Sequence, residues 1–375
     1  MNTSGKPRKL RLCYVADLRS LHTQRWVTYF AKRGHSVTVL SPTKMELPGV
    51  RVHRILWKSG LPKLLLLVNI LPIIIVLRTA RPDVLHAHYV RVYGWLAALS
   101  FFKPLIITVW GGDVLEDQGA FSDFLGRKLT PFALRRASIV TAQSRFLEQR
   151  VIDLGKPEGN VHMVGHGVDR KQFRSGLNSD SLRNELGLGE VPVVLCTRLI
   201  TRLYNTETII RAIPLVINEI PAAKFIFSEL AGEEPYIQEM KALAKELGVE
   251  GSVVFLREIP PGRMPLFLNL ARVLVSIPDS DSGMPQTVLE AMSCGTVPIV
   301  SSLPQYSELI KSETNALVVP PKDVRALAVA ILRLLKDHAL REKLSRACLD
   351  TVMEGMDYEA EMAKMEGLYH ELSRT

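Results

Sequence analysis

The feature that most limits what this chain can fold into is an alternation of hydrophobic period. Short apolar runs of strand length recur between stretches whose apolar residues fall three to four apart. Residues 10–16 (LRLCYVA) form the first run, and 23–33 form a helical stretch stopped by Gly34, a residue suited to the left-handed turn that ends a helix. Strand-length runs follow at 36–40, 84–87, 105–109 and 139–141, with a helix at 94–101. The rhythm then restarts. Strands are expected at 191–196, 224–227, 253–256, 273–276 and 297–300, and helices at 205–219, 235–247, 323–337, 340–352 and 358–373. Strands alternating with helices join in parallel, with helices covering both faces of the sheet. The pattern therefore predicts an α/β chain of two doubly wound halves.

At 375 residues the chain exceeds what a single core usually fills. A polar stretch near 173–187 marks the junction, which puts the halves at 1–175 and 176–354 with a final helical segment at 355–375. In open α/β sheets ligands bind at the C-terminal strand edges, so a cleft between the two halves is the expected site. The apolar content of 47% and charged content of 23% exclude long disorder, collagen-like repeats and a polytopic membrane protein. Cys13, Cys196, Cys294 and Cys348 lie far apart without a CxxC pair, which suits a reducing compartment rather than a disulfide framework or zinc site. The first twelve residues are basic and polar with no apolar core, so a cytoplasmic protein is expected, placed at the inner face of the membrane by the charge described next.

Residues 1–175 hold 27 Lys and Arg against 11 Asp and Glu, a net of +16, whereas the remainder holds 20 against 27, a net of −7. A basic half points to an anionic partner, and an anionic membrane surface is favoured. Nucleic acid is not expected, because the basic residues are scattered and no nucleic-acid-binding motif appears. Residues 64–77 (LLLLVNILPIIIVL) are apolar on every face but shorter than the roughly 20 residues of a bilayer span. They read either as a buried helix or as an interfacial element flanked by Lys58, Lys63, Arg78 and Arg81.

Three clusters carry potential chemistry. The stretch 279–295 (DSDSGMPQTVLEAMSCG) follows an apolar strand and leads into a helix starting near Pro285. Free N–H groups at such a start, with the helix dipole, make a phosphate site, and Glu290 stands one to two turns inside, within reach of ribose hydroxyls. An ordinary strand–helix turn with Glu290 as a surface acid is the alternative. Arg198 and Arg202 follow the strand at 191–196, placed to hold a diphosphate or else as a solvated pair. In the first half, His86, His88, Trp110 and Asp113 end strands, and Ser20 and His22 follow the first strand. No further ligands at zinc spacing accompany the two histidines, so no metal is expected. Asp279 and Asp281 imitate a metal-binding DxD pair but sit at a phosphate-type turn. The loop 17–22 contains no glycine, which removes the dinucleotide fingerprint.

With these residues in view, the chain resembles glycosyltransferase family 4, the retaining nucleotide-sugar enzymes of the GT-B fold, two Rossmann-like domains facing each other across a cleft. The likeness runs from about Lys9 to the last helix. It rests on 20–26 (SLHTQRW), 82–88 (PDVLHAH), 108–113 (TVWGGD), 167–169 (GVD), and 282–295, which overlays the E-x7-E motif and its EAMxCG tail. The resemblance implies that 1–175 bind the acceptor, 176–354 bind the nucleotide sugar, and 355–375 cross back to the first domain. It implies that Glu290 binds the donor ribose, that N–H groups near Met284–Thr287 hold the diphosphate, and that Arg198 neutralises the leaving phosphate. Front-side attack, with the phosphate taking the acceptor proton and no metal or other cofactor, is the implied mechanism.

Three positions depart from the family pattern. Ser282 replaces the first glutamate, with Asp281 or Asp279 as substitutes. Leu203 stands where Lys is common, with Arg202 as a substitute, and Trp110 stands where many members carry His. The expected catalytic residues are thus Asp113, Arg198, Arg202, Asp281 and Ser282. The expected donor-binding residues are Ser20, His22, Arg198, Arg202, Gly283, Met284, Pro285, Gln286, Thr287 and Glu290, and His88 and Trp110 are placed on the acceptor side. The expected activity is transfer of a hexosyl group from a UDP- or GDP-linked donor to a lipid-linked or polysaccharide acceptor in cell-envelope synthesis, such as lipopolysaccharide. The alternatives are a weakened relative that serves as a sugar-nucleotide-binding partner subunit, and an epimerase on the same fold.

Overall fold

The computed structural model describes residues 8–56, 68–115, 124–230 and 232–374. The chain divides into two compact units, Met1–His166 with Ala360–Thr375, and Gly167–Glu359.

The first unit is built on a seven-stranded sheet of β1 (Arg11–Val15), β2 (Ser36–Ser41), β3 (Val50–Arg54), β4 (Val84–His88), β5 (Leu105–Thr108), β6 (Ile139–Ala142) and β7 (Val161–Met163). The order is β3-β2-β1-β4-β5-β6-β7, with every neighbouring pair parallel. The strands legible as apolar runs occupy the middle, where both faces are covered. The sequence pattern did not reveal β3 and β7. Both lie at sheet edges, β3 is largely solvated and β7 has three residues, so neither carries a continuous apolar run.

Helices α1 (Leu21–Lys32), α2 (Ile70–Ala80), α3 (Trp95–Leu99), α4 (Phe124–Arg136) and α5 (Arg145–Asp153) complete the crossovers. The helix expected at 94–101 is shorter. The chain first makes an irregular turn at Val90–Gly94, with positive φ at Tyr89 just before it (76°) and at Val92 inside it (66°), before α3 begins. Of the apolar segment 64–77, residues 64–67 lie outside the described residues. In α2, Ile73, Val76 and Leu77 are buried, while Leu71 (66% exposed) and Ile75 (53% exposed) face outward. Among the described residues, no helix is long and apolar enough to cross a membrane.

The second unit has β8 (Val193–Cys196), β9 (Lys224–Ser228), β10 (Val253–Leu256), β11 (Val273–Ser276), β12 (Val297–Ser301) and β13 (Leu317–Val319), in the parallel order β10-β9-β8-β11-β12-β13. One face packs α7 (Thr206–Ile217), α8 (Glu234–Glu246) and α11 (Val324–Lys336). The other packs α6 (Asp180–Glu185), α9 (Met264–Leu270), α10 (Gln286–Ser293) and much of α12 (His338–Gly355). Both sheets thus repeat the doubly wound order, with the switch point beside the first strand. All four cysteines are free and buried.

The last helix, α13 (Tyr358–Leu372), belongs from Ala360 onward to the first unit. Its apolar stripe reads from sequence as Met362, Met365, Leu368 and Leu372. The buried face is instead Glu361, Met362, Met365, Glu366 and Tyr369, because polar partners wait for it. Glu361 accepts the Gly165 N–H at 2.7 Å, and Glu366 meets His35 and Arg33, each at 2.8 Å. The Tyr369 hydroxyl bonds Tyr14 at 2.7 Å and His86 Nδ1 at 2.6 Å, and His86 Nε2 continues to Thr108 (2.7 Å) and Thr141 (2.6 Å beyond). A buried polar chain of this kind is costly to break. Tyr369→Phe removes two of its bonds without changing ring volume and should cost roughly 1–3 kcal/mol. The melting temperature should fall by roughly 3–10 °C in calorimetry; an unchanged value would show that the chain adds no stability.

Candidate functional site

In the second unit the site grows from the loops that follow β8 and β11. The loop after β11 turns at Gly283, whose φ of 153° is readily adopted only by glycine, and enters α10 behind Pro285. Proline brings no capping side chain, and Val288 and Leu289 bond back to the Pro285 carbonyl. The N–H groups of Gln286 and Thr287 meet no acceptor among the described residues, and the Thr287 hydroxyl is likewise buried without a partner; the Gln286 Oε1, itself an acceptor, is buried without a donor. Together with roughly half a positive charge from the helix dipole, this is an anion-binding geometry. One turn on, the buried Glu290 accepts from Gln286 Nε2 at 3.2 Å, and the same amide donates to the Gly167 carbonyl at 2.9 Å. Met284 packs into the core below the loop.

Arg198, after β8, lies over the Tyr204 ring (4.2 Å to its centre) and pairs with Asp281 at 2.8 Å. Arg202 does not join it. Its side chain is 70% exposed, bonds Glu239 at 2.9 Å and stacks on Tyr236 of α8. It lines, with Leu203, Asn205, Asp279 and Lys322, a pocket of about 490 Å³. The two aspartates of the DxD-like pair both face cations. Asp279 meets Lys322 (2.6 Å) and the Asn205 amide (2.7 Å), and Asp281 meets Arg198. Ser282 is buried beside them, its N–H donating to Asp281 at 2.8 Å. Tyr306 and Lys322 were not singled out from sequence, because they stand in loops after β12 and β13 with no motif around them.

In the first unit, Ser20 caps α1, its hydroxyl accepting the Thr23 N–H at 3.4 Å. His22 stacks on His166 (4.1 Å between centres, 15° between planes) and meets the Trp110 edge at 5.3 Å. Trp110 also contacts His88 at 5.4 Å and His166 at 5.5 Å. His88 Nδ1 bonds the Thr23 hydroxyl at 3.1 Å, while His88 Nε2, Trp110 Nε1 and His166 Nδ1 are buried without a partner among the described residues. Burial pushes the His22 imidazole down to about 4 and the His88 imidazole to about 3, so both rings are neutral near pH 7. His166 was missed from sequence although it directly precedes the GVD segment at 167–169, because no strand end or cluster of polar residues draws attention to it.

Asp113 is fully buried, and its carboxylate accepts from the N–H groups of Val90 (2.7 Å), Trp110 (3.0 Å) and Gly111 (2.9 Å). It ties the irregular turn after β4 to the loop after β5, and it shares no hydrogen bond with His88. Burial pushes this carboxyl up to about 6 against the pull of those donors.

His35, Glu366 and His370 bring potential metal-ligand atoms within 4.8 Å of one another. The polarity is wrong for a metal. The Leu10 N–H donates to His35 Nδ1 at 3.1 Å, so the ring proton sits on Nε2, facing Glu366. Coordination at Nε2 would leave that ring without a proton, whereas a metal-binding imidazole normally donates its other N–H to an acceptor.

The profile of the Glycosyl transferase 4-like family matches residues 11–144, and that of Glycosyl transferases group 1 matches 178–348. The chain is 29% identical over 217 residues to a GDP-mannose-dependent α-(1-6)-phosphatidylinositol monomannoside mannosyltransferase of Mycolicibacterium smegmatis, covering 55% of this chain and 56% of that protein. It is 23% identical over 299 residues to N-acetyl-α-D-glucosaminyl L-malate synthase of Bacillus anthracis, covering 78% and 75%. The chain thus spans little more than half the length of the first of these relatives. Among solved structures, Anabaena HepE in complex with UDP-glucose superposes with a TM-score of 0.83 at 16% identity, over 97% of this chain and 100% of that one. The fold is GT-B, and the chain belongs to the glycosyltransferases of the family-4 type.

Proposed function

We propose that this protein transfers a hexosyl group, with retention of configuration, from a UDP- or GDP-linked sugar to a lipid-linked or glycan acceptor of the cell envelope. The observation that carries the reading is the start of α10. Two N–H groups without a protein acceptor, a buried Glu290 one turn on and Arg198 on the neighbouring loop match a nucleoside diphosphate's phosphates and ribose. Departure of that diphosphate builds negative charge where the helix dipole and Arg198 supply positive charge, so the residues themselves provide the stabilisation. The acceptor is assigned to the first unit, whose neutral rings at His88, Trp110 and His166 offer hydrogen bonds from an apolar surround. Contact with an anionic membrane is assigned to the same unit through the net charge of +16 on residues 1–175 and the outward Leu71 and Ile75 of α2. Relatives named for GDP-mannose and a neighbour solved with UDP-glucose support either base.

Incubation with UDP-glucose or GDP-mannose and lipid extracts should give a product of unchanged anomeric configuration, equally in EDTA. An inverted product, or loss of transfer on chelation, would contradict the mechanism. Flotation with anionic vesicles checks the membrane contact.

A further inference from the structure

Arg198 does not wait as an unpaired cation. Its guanidinium lies over Tyr204, and its Nη2 donates to Asp281 at 2.8 Å, with both side chains largely buried (20% and 13% exposed). Asp281 is itself held from three directions. The Tyr306 hydroxyl donates at 3.0 Å to the same oxygen that meets Arg198, the Ser282 N–H donates at 2.8 Å to the other, and the Gln305 amide donates at 2.5 Å to the Asp281 backbone carbonyl. Gln305 and Tyr306 share one short turn after β12, and both are buried. A carboxylate held by a buried hydroxyl and a backbone N–H, on a backbone that is itself pinned by Gln305, is not a side chain that has swung onto the nearest arginine.

We infer that Asp281 is a built-in counter-ion of Arg198, which a donor's phosphates must displace, and that Tyr306 is the positioning residue that keeps it there. This rests on the proposed donor site. A phosphate oxygen that takes Nη2 competes with the Asp281 oxygen for it, and one that uses the other N–H groups still meets the field of the adjacent carboxylate. The pair therefore lowers affinity for any ligand that uses Arg198 through phosphate. It leaves affinity for the base and ribose untouched. After transfer, the diphosphate product faces an anion already placed to reclaim Arg198, which favours its release. The same arrangement accounts for Ser282. With Asp281 committed to Arg198, the carboxylate next in sequence does not substitute for the missing first glutamate while the pair is closed.

The test is calorimetric titration of the full chain with UDP, GDP, uridine and guanosine, for wild type, Asp281→Asn and Tyr306→Phe. Asp281→Asn keeps side-chain size and acceptor oxygen while removing the charge. It should tighten the diphosphate of the cognate base about ten-fold in low salt, with the gain shrinking as salt screens the charges. The nucleoside should be unaffected. Tyr306→Phe should give a smaller gain of the same kind, which a merely structural loss of a hydroxyl would not confine to the phosphorylated ligand. Weaker or unchanged diphosphate binding by Asp281→Asn, with wild type binding normally, overturns the counter-ion and leaves the donor site standing. No binding of either diphosphate by wild type or by either variant overturns the donor reading and this inference together.

Discussion

Between about pH 6.5 and pH 4 the first unit should lose much of its stability. Burial holds His22 down to about 4, helped by Arg25, and His88 to about 3, helped by His22. Burial also holds His86 and His166 well below the ordinary histidine value. An unfolded histidine titrates near about 6.5. Below that pH the unfolded chain binds protons that the folded rings refuse, so stability is complete above it and falls as pH drops towards the folded values. Asp113 acts in the opposite sense. Its carboxyl, pushed up to about 6, gains protons on folding and adds stability as pH falls from about 6 to about 4. Four histidines outweigh one carboxyl. A melting series at constant ionic strength should show the transition falling by on the order of 10 °C between pH 7 and pH 4.5, and His166→Gln should flatten the slope. A pH-independent transition over that interval would show that the rings admit solvent.

Removing Arg198 should be the most damaging single change to catalysis. Arg198→Ala deletes the guanidinium that the proposed donor site places against the leaving phosphate, while Arg202 is paired with Glu239 and stacked on Tyr236, away from Asp281. Loss of one charge that stabilises a departing anion lowers turnover by about 10²–10³-fold. Arg198→Lys should recover only part, because an ammonium lacks the planar fork. Steady-state kinetics with the cognate donor measure this, at a temperature where melting curves show both proteins folded, because the variant leaves the buried Asp281 carboxylate without its cation and melts lower. A turnover within about three-fold of wild type would remove Arg198 from the reaction.

Much of the scaffold was legible because buried parallel strands are apolar along most of their length. The residues of β1, β4, β8 and β11 announce themselves for that reason. Edge strands β3 and β13 lack that burial or that length, and α4 carries an internal Pro131 and few buried positions. The face of α13 was misread in part, since Glu366 and Tyr369 are buried through partners at His35, Tyr14 and His86 that lie hundreds of residues away. The same limit applies to the site. Spacing pointed to a phosphate-type turn at 279–295 with Glu290 inside its helix, since strand, turn and helix start are local features, and the family resemblance implied the N–H groups near Met284–Thr287. The pairing of Arg198 with Asp281 under Tyr306, and of His22 with His166, depends on which loops the topology brings together.

The central claim is that the start of α10 and Glu290 form a nucleoside-diphosphate site. The most direct measurement is a thermal-shift and calorimetric comparison of UDP, GDP and ADP on wild type and Glu290→Ala. One diphosphate should stabilise the wild type, and the variant should bind it at least about ten-fold more weakly, the equivalent of ~1.4 kcal/mol. No shift with any of the three, or equal binding by Glu290→Ala, would contradict the account.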